Sequence, residues 1–350
     1  HLYHTFQLMM EDVKEGRFSP AVVYDGDTPV EYASVPLTCY EGKGYRRETF
    51  ESISTLLENY YASRDTITRI RQKSSDLRRI VQTALERSCK KYDLQLKQLK
   101  DTEKREKYRI YGELLNTYGY ELKGGEKSFK CINYYDNEEI TIPLDPQLTA
   151  RENAQKHFDK YNKLKRTYEA LSQLTMETKA EVDHLESVSS ALDIALEEND
   201  LVQIKEELME FGYVKKRRAN EKRPKITSKP FHYISSDGYD IFVGKNNYQN
   251  EELTFKVASG NDWWFHAKGI PGSHVIVKSN GQTDLPDRIF EEAGALAAYY
   301  SMGRENDKVE IDYIQKKNIK KVAGAAPGFV IYHTNYSLVA SPRCDLKEVK

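Results

Sequence analysis

The stretch FDKYNKLKRTYEALSQLTMETKAEVDHLESVSSALDIAL, residues 158–196, decides the fold of this chain. Written in heptads, it places a seam of apolar and small side chains on one helix face with the 4-3 spacing of a helix that packs along a second helix. The seam positions are Tyr161, Leu164, Tyr168, Leu171, Thr175, Thr178, Val182, Leu185, Ser189, Leu192 and Leu196. Because the one other run of comparable length is residues 50–116, the sequence predicts two long antiparallel helices.

The upstream helix carries the same pattern over its first half. Its seam consists of Ile53, Leu56, Tyr60, Ile67, Ile70, Ser74, Leu77 and Val81. The apolar residues then continue at Leu85, Cys89, Tyr92, Leu96 and Leu99, with successive steps of four that predict a stutter. Residues 69–109 carry fourteen basic and six acidic side chains, whereas residues 169–210 carry twelve acidic and two basic ones. This opposite charge favours antiparallel pairing of the two helices.

The turn between the helices predicts a small module at the tip of the rod. Residues 127–144 alternate like a β-hairpin, and Thr149 with Glu152 predicts the N-cap of the return helix. Twelve basic and five acidic residues flank this turn on residues 97–109 and 151–166. Such a surface favours an anionic partner, and Lys104, Arg105, Lys163 and Arg166 are the candidates there, although a solvated helix face is the structural alternative.

The sequence on either side of the two long helices predicts further helices and strands. Residues 1–50 read as a helix and two strands, too little to form a core alone, so they are expected to be the tail of a domain or a β-edge at the base of the rod. Because the opening HLYHTFQLMM resembles the middle of a domain, the chain is expected to be the C-terminal part of a longer protein. Residues 213–230 form a basic linker, in which 215–229 hold eight basic residues and one acid. Residues 231–350 form an α+β domain. Its strands are expected at 231–234, 239–243, 253–257, 274–278, 309–314 and 328–333, and its helix at 287–302.

Composition excludes several classes of protein. No apolar run approaches ~18 residues, which excludes a membrane span, and the four cysteines lack metal or disulfide spacing, which favours a reduced cytoplasmic setting. No phosphate-binding glycine motif, catalytic triad or metal-ligand spacing occurs. The sequence therefore predicts a binding protein with no catalytic residue, cofactor or metal.

Two segments of the C-terminal domain resemble the NFACT family. DGYDIFVGKNNYQNEELTFKVASGNDWWFHAKGIPGSHVIVK, residues 237–278, is similar to the central motif of its NFACT-R domain, and VEIDYIQKKNIKKVAGAAPGFVIY, residues 309–332, is similar to a second one. The resemblance extends over the whole chain. It implies an α+β fold with an NFACT-N remnant (1–50), outgoing helix (51–116), tip module (117–150), return helix (151–212), linker (213–230) and NFACT-R domain (231–350).

The family resemblance implies a ribosome quality-control factor. Such a factor binds the large ribosomal subunit with stalled peptidyl-tRNA, where the tip meets rRNA and a stalk-base protein, and supports untemplated alanine tailing of the nascent chain. Binding of tRNA is expected to need a missing N-terminal domain. The alternative is a fibronectin-binding surface adhesin, which would place the protein at the cell surface without a signal peptide.

The two motifs supply the candidate RNA-binding residues. Amides and a lysine in a tight turn suit sugar, base or phosphate contacts, aromatic rings can stack on bases, and a Pro-Gly-Ser turn can bind phosphate. The candidates are Lys245, Asn246, Asn247, Gln249, Asn250, Trp264, His266, Ser273 and His274, with a basic cluster of Lys316, Lys317, Lys320 and Lys321. Because adjacent tryptophans on a strand point to opposite faces, at least one is expected in the core.

Overall fold

The computed structural model describes residues 2–25, 28–217, 225–282 and 284–349. The chain divides into two compact units, one formed by residues 1–82 with 185–350 and the other by residues 83–184. Residues 218–224 of the predicted basic linker lie outside the described residues.

The first unit begins with a helix and a small antiparallel sheet. Helix α1 spans Leu2–Lys14, and strands β1 (Ala21–Asp25), β2 (Thr28–Ala33) and β3 (Arg46–Thr49) pair in the order β2-β1-β3. Strand β3 was not expected from the sequence, because its four side chains are all exposed and charged or polar. One face of β1 packs on the start of the following helix through Val22, Tyr24, Leu56 and Tyr60.

The long helical region contains α2 (Ile53–Thr102), α4 (Ala150–Ile194) and α5 (Glu198–Glu210). Each predicted long helix is interrupted, at residues 103–104 on the way out and at 195–197 on the return. Ion pairs join the arms as the charge segregation predicts, since Arg78 lies against Asp193 and Lys73 binds Glu198 at 2.5 Å.

The predicted stutter in α2 is wrong. Beyond Val81 the buried positions are Ala84, Ser88, Gln95 and Thr102, which continue the 4-3 spacing, whereas Leu96 is 41% exposed. Small and polar residues thus form the buried seam here, whereas the predicted seam consisted of the larger apolar residues. Burial in a two-helix seam depends on position in the heptad rather than on side-chain hydrophobicity alone.

The second unit ends in the predicted tip module. Helix α3 (Arg105–Tyr118) and the hairpin of β4 (Ser128–Ile132) and β5 (Glu139–Pro143) enclose a core with the first turns of α4. That core consists of Tyr111, Leu114, Leu115, Phe129, Ile142 and Ala154. The hairpin and the N-cap are confirmed: Thr149 N–H donates to Glu152 Oε2 at 2.8 Å, and Glu152 N–H donates back to Thr149 Oγ1 at 3.3 Å.

The C-terminal domain, which lies in the first unit, is a six-stranded antiparallel sheet. Its elements are β6 (Phe231–Ile234), β7 (Asp240–Val243), α6 (Asn247–Glu252), β8 (Trp263–Ala267), β9 (Val275–Val277), α7 (Asp287–Tyr299), β10 (Val309–Gln315), β11 (Lys320–Lys321), β12 (Val330–Ile331) and β13 (Tyr336–Ala340). The strand order is β13-β10-β8-β9-β7-β6, while β11 and β12 form a separate hairpin. Helix α7 packs on one face, and Trp264, Ile276 and Ile314 form a second core on the other.

One predicted strand of this domain is wrong, and three strands were missed. Residues Leu253–Val257 form a π-helical turn that continues α6, although their alternating apolar residues favoured a strand. Strands β8, β11 and β13 were not among the expected strands. The α+β class and the predicted strands around β6, β7, β9 and β10 are confirmed.

Candidate functional site

The central motif forms a tight turn that leads into α6. Asn246 caps this helix by accepting a hydrogen bond from Gln249 N–H at 3.1 Å, and Lys245 N–H donates to Gln249 Oε1 at 3.0 Å. Asn250 Oδ1 accepts from His274 N–H at 3.0 Å. The side-chain oxygens of Asn246, Gln249 and Asn250 are thus held by backbone N–H groups of the same domain. We call residues 245–250 the donor loop, because side-chain N–H groups of this segment donate hydrogen bonds to side chains of helix α5.

Most side-chain donors of this loop bind helix α5, whereas Asn250 Nδ2 donates to the Gly272 carbonyl oxygen at 3.4 Å. Asn246 Nδ2 donates to Gln203 Oε1 at 2.9 Å, Asn247 Nδ2 to Glu207 Oε1 at 2.7 Å, Gln249 Nε2 to Gln203 Oε1 at 3.2 Å, and Lys245 Nζ to Asp200 Oδ1 at 3.4 Å. Tyr248 also donates its hydroxyl hydrogen to Glu210. Helix α5 is therefore held on the C-terminal domain by hydrogen bonds from the donor loop.

Burial of the donor loop differs from the sequence interpretation. Lys245 is 9% exposed, and Asn246, Asn247, Gln249 and Asn250 are 2–5% exposed. A solvent-facing RNA turn was expected there, whereas in the structure α5 covers it. The reason is the match between the donors of the loop and the acceptors of a helix some 40 residues upstream, which no local pattern reveals. A role in RNA contact stays a prediction for these residues.

Of the remaining motif residues, Trp264, Ser273 and His274 are buried in the domain and His266 is partly buried. Ser273 is 1% exposed, and Trp264, also 1% exposed, stacks on His266 at 5.6 Å and meets the edge of His274 at 5.1 Å. Thr254 Oγ1 lies 2.7 Å from His274 Nδ1. The expectation that one tryptophan is in the core is confirmed for Trp264, so this ring does not offer a free stacking surface.

The two histidines are neutral at physiological pH. Burial lowers the pKa of His266 to about 4, against a smaller opposing effect of its hydrogen bond to the Gly272 backbone and of Asp312. Burial also places the pKa of His274 well below its usual range, and the neighbouring His266 lowers it further. These rings therefore act as uncharged hydrogen-bonding groups.

The basic cluster of the second motif is on the surface. Lys317 and Lys320 are exposed, Lys316 Nζ lies 6.0 Å from the centre of the Phe255 ring, and Lys321 binds Glu251 at 2.6 Å. Within the described part of the chain, the first three lysines form no ion pair. Two further exposed residues were not predicted: Lys256, in the turn that contains Phe255, and Phe329, which precedes β12 in the hairpin that contains Lys320 and Lys321.

The tip carries a second cationic surface. Lys104 binds Asp101 at 3.2 Å, and Arg105 lies 4.0 Å over the Tyr168 ring. Lys163 and Arg166 are exposed and, among the residues that the structure describes, have no acidic partner. The four predicted tip residues thus divide into two that are held by neighbours and two that are free to bind an anion.

The residues that the structure describes contain no group of three or more His, Cys, Asp or Glu side chains placed to hold a metal ion. Within the same residues, no helix is both long and apolar enough to cross a bilayer.

Substitution of Gly244 by alanine is expected to destabilise the C-terminal domain by a few kcal/mol. A Cβ at this position would lie 2.2 Å from Asn250 Oδ1 and 3.0 Å from Asn250 N, so the buried loop must shift. Urea unfolding followed by tryptophan fluorescence measures the change. Gly260→Ala is the matched control, since its Cβ would meet Lys317 Cβ at an ordinary 3.7 Å. Equal stability of the two variants would contradict the prediction.

Comparison with known proteins gives consistent matches over most of the chain. A family model of the NFACT N-terminal and middle domains matches residues 1–227, and a model of the NFACT protein RNA binding domain matches residues 229–333. The chain is 41% identical to the Rqc2 homolog RqcH of Streptococcus suis over 326 residues, which cover 92% of this chain and 57% of that protein. It is 35% identical to the Rqc2 homolog RqcH of Bacillus subtilis over 341 residues, 96% of this chain and 58% of the relative.

A solved structure shows the same similarity. The C-terminal part of the fibronectin/fibrinogen-binding protein from Streptococcus suis is 38% identical with a TM-score of 0.63, covering 79% of this chain and 97% of that one. The chain spans a little over half the length of the curated relatives that it matches.

Proposed function

This chain belongs to the NFACT family, and we propose that it is the ribosome-binding part of a ribosome quality-control factor. In this proposal it binds the large ribosomal subunit with stalled peptidyl-tRNA, positions tRNA together with an N-terminal domain, and supports untemplated alanine tailing of the nascent chain. The subunit supplies the peptidyl-transfer chemistry, so the chain acts by binding in the cytoplasm and not as an enzyme.

The observation that carries this proposal is the exposed basic surface of the domain that matches an RNA-binding model. Lys316, Lys317 and Lys320 are free of ion pairs among the described residues, and Phe329, which precedes β12 in the same hairpin as Lys320, is 52% exposed. Exposed cations bind backbone phosphates, and an exposed aromatic ring supplies a surface for base stacking. The free cations of the tip support a second contact with rRNA, next to a contact with a stalk-base protein.

Neutralising the three lysines is expected to weaken binding of large ribosomal subunits. Each lost phosphate contact removes counterion release, so Lys316→Ala, Lys317→Ala and Lys320→Ala together should lower the magnitude of the salt slope by about two. Co-sedimentation with purified large subunits across a salt series measures this. Lys308→Ala is the control. Lys308 precedes the seven-residue strand β10 and Lys316 follows it, so the strand separates the two lysines by about 20 Å.

Fibronectin binding is the alternative, and the solved structure of a fibronectin/fibrinogen-binding protein is the observation that favours it. The same preparation should be tested for fibronectin binding. Subunit binding that depends on salt and on the three lysines supports the ribosomal function. Fibronectin binding without subunit binding would replace it with the adhesin, although the comparisons give no support to a location at the cell surface.

A further inference from the structure

We propose that the donor loop is itself an RNA-backbone site, closed in this structure by α5, which takes the place of the RNA. The inference rests on the proposed function and extends it to a site that opens. It starts from the direction of the hydrogen bonds: in every contact with α5 described above, the loop side chain is the donor and the α5 side chain is the acceptor.

A surface that offers several donors and a cation is complementary to an acceptor-rich anion. The oxygens of Asn246 and Gln249 are occupied by backbone N–H groups, so their N–H groups, together with Asn247 Nδ2 and the Lys245 ammonium, are what the loop presents to α5. A polypeptide partner would offer donors as well as acceptors. An RNA backbone offers phosphate and sugar oxygens, which accept hydrogen bonds from such side chains.

Helix α5 supplies acceptors in a regular row. Asp200, Gln203 and Glu207 lie three and four residues apart on one helix face, so they span about 10 Å. Two of the three are carboxylates, which are 1% and 0% exposed. Like the phosphates of a nucleic acid strand, they place negative charge at intervals along the donor surface.

The free energy of opening decides which partner occupies the loop. Moving α5 away exposes Leu201, Ile204 and Leu208, which are all buried, and this favours the closed state in the absence of RNA. The same movement returns two buried carboxylates to water, which offsets part of that cost. A phosphate backbone then restores the hydrogen bonds of the loop. RNA affinity at the loop is therefore reduced by the fraction of molecules that are open.

Weakening the α5 contacts should tighten RNA binding. The test is Gln203→Ala with Glu207→Ala, measured with a short fluorescein-labelled single-stranded RNA by fluorescence anisotropy. Opening the site by this change is expected to raise the affinity about tenfold. Gln173→Ala with Glu177→Ala is the matched control. These two residues also lie four positions apart, on α4, and Gln173 Nε2 donates a hydrogen bond to Glu177 Oε1 within the same helix. The control should change the affinity by less than about twofold.

A second pair of substitutions assigns the gain to the loop. Adding Asn247→Ala and Gln249→Ala to the α5 variant should return the affinity to that of the unmodified chain. No gain in the α5 variant, an equal gain in the control, or a gain that survives loss of the two amides would each overturn the inference. If the double variant does not fold, Glu207→Gln against Glu177→Gln gives the same comparison with a smaller change.

Hydrogen exchange provides an independent measurement on the unmodified chain. Backbone amides of residues 198–210 should exchange faster when the RNA is bound, and unchanged protection at saturation would overturn the inference. The proposed function fails separately: in that case the unmodified chain binds neither the RNA nor ribosomal subunits, and loss of Lys316, Lys317 and Lys320 has no effect.

Discussion

Reversing the charge of Lys104, Arg105, Lys163 and Arg166 is expected to lower the affinity for large ribosomal subunits by about 100-fold or more at low salt, and to reduce the salt slope by about three. Each replaced cation removes a phosphate contact, and each new carboxylate adds repulsion. Salt-dependent co-sedimentation is the measurement. A variant with unchanged affinity and slope would show that the tip does not bind RNA.

The structure predicts an unequal division of this effect. Arg105 is held over the Tyr168 ring, and Lys104 is held by Asp101, whereas Lys163 and Arg166 have no ion pair within the described residues. The pair Lys163→Glu and Arg166→Glu should therefore account for most of the loss. Lys90→Glu with Lys91→Glu is the control with the same charge change, on exposed positions of α2 away from the tip module. Equal losses from the two pairs would indicate general electrostatic attraction rather than a tip site.

Local periodicity predicted the helical region and the tip with few errors. In the predicted seam Leu56, Tyr60 and Leu185 are buried, whereas Ile53 and Leu196 at its ends are exposed. The Thr149 cap lies where its spacing with Glu152 indicated. These features depend on residues three to seven positions apart. The two helix interruptions were missed because no proline or glycine marks residues 103–104 or 195–197.

The candidate site shows where sequence reasoning fails. A run of amides with a lysine has the same composition whether it faces water or is covered, and the difference here lies in Gln203 and Glu207, which are 40–46 residues away in the chain. The family resemblance located the motif but said nothing of its exposure. The surface positions of Lys317 and Lys320, by contrast, could be predicted from the sequence, because charged side chains without partners remain in water.

Acidification provides the second prediction, since it should destabilise the C-terminal domain through His266 and His274. In the unfolded chain a histidine takes up a proton near its ordinary pKa of about 6.5. In the folded chain burial keeps His266 neutral down to a pKa of about 4, and His274 is held neutral as well. Below about pH 6.5 the unfolded state therefore binds more protons than the folded state, and stability falls as pH falls.

The size and window of this effect follow from the shift of His266. Between about pH 6.5 and about pH 5 this one residue should reduce the free energy of unfolding by about 2 kcal/mol, and His274 adds to that loss. Unpaired carboxylates titrate mainly below this window, which leaves the histidines as the principal cause. The chain holds two tryptophans, Trp263 and Trp264, and both lie on β8 beside His266, so their fluorescence during urea unfolding reports this domain.

Replacement of the histidine separates this cause from a general effect of acid. His266→Gln removes the titrating group and should flatten the dependence of unfolding free energy on pH, although the variant starts from a lower stability because the ring no longer stacks on Trp264. His333→Gln, at an exposed position, should keep the slope of the unmodified chain. If all three proteins lose stability in parallel between about pH 6.5 and about pH 5, His266 does not stay neutral in the folded state, and the enclosed pair is not what limits stability in acid.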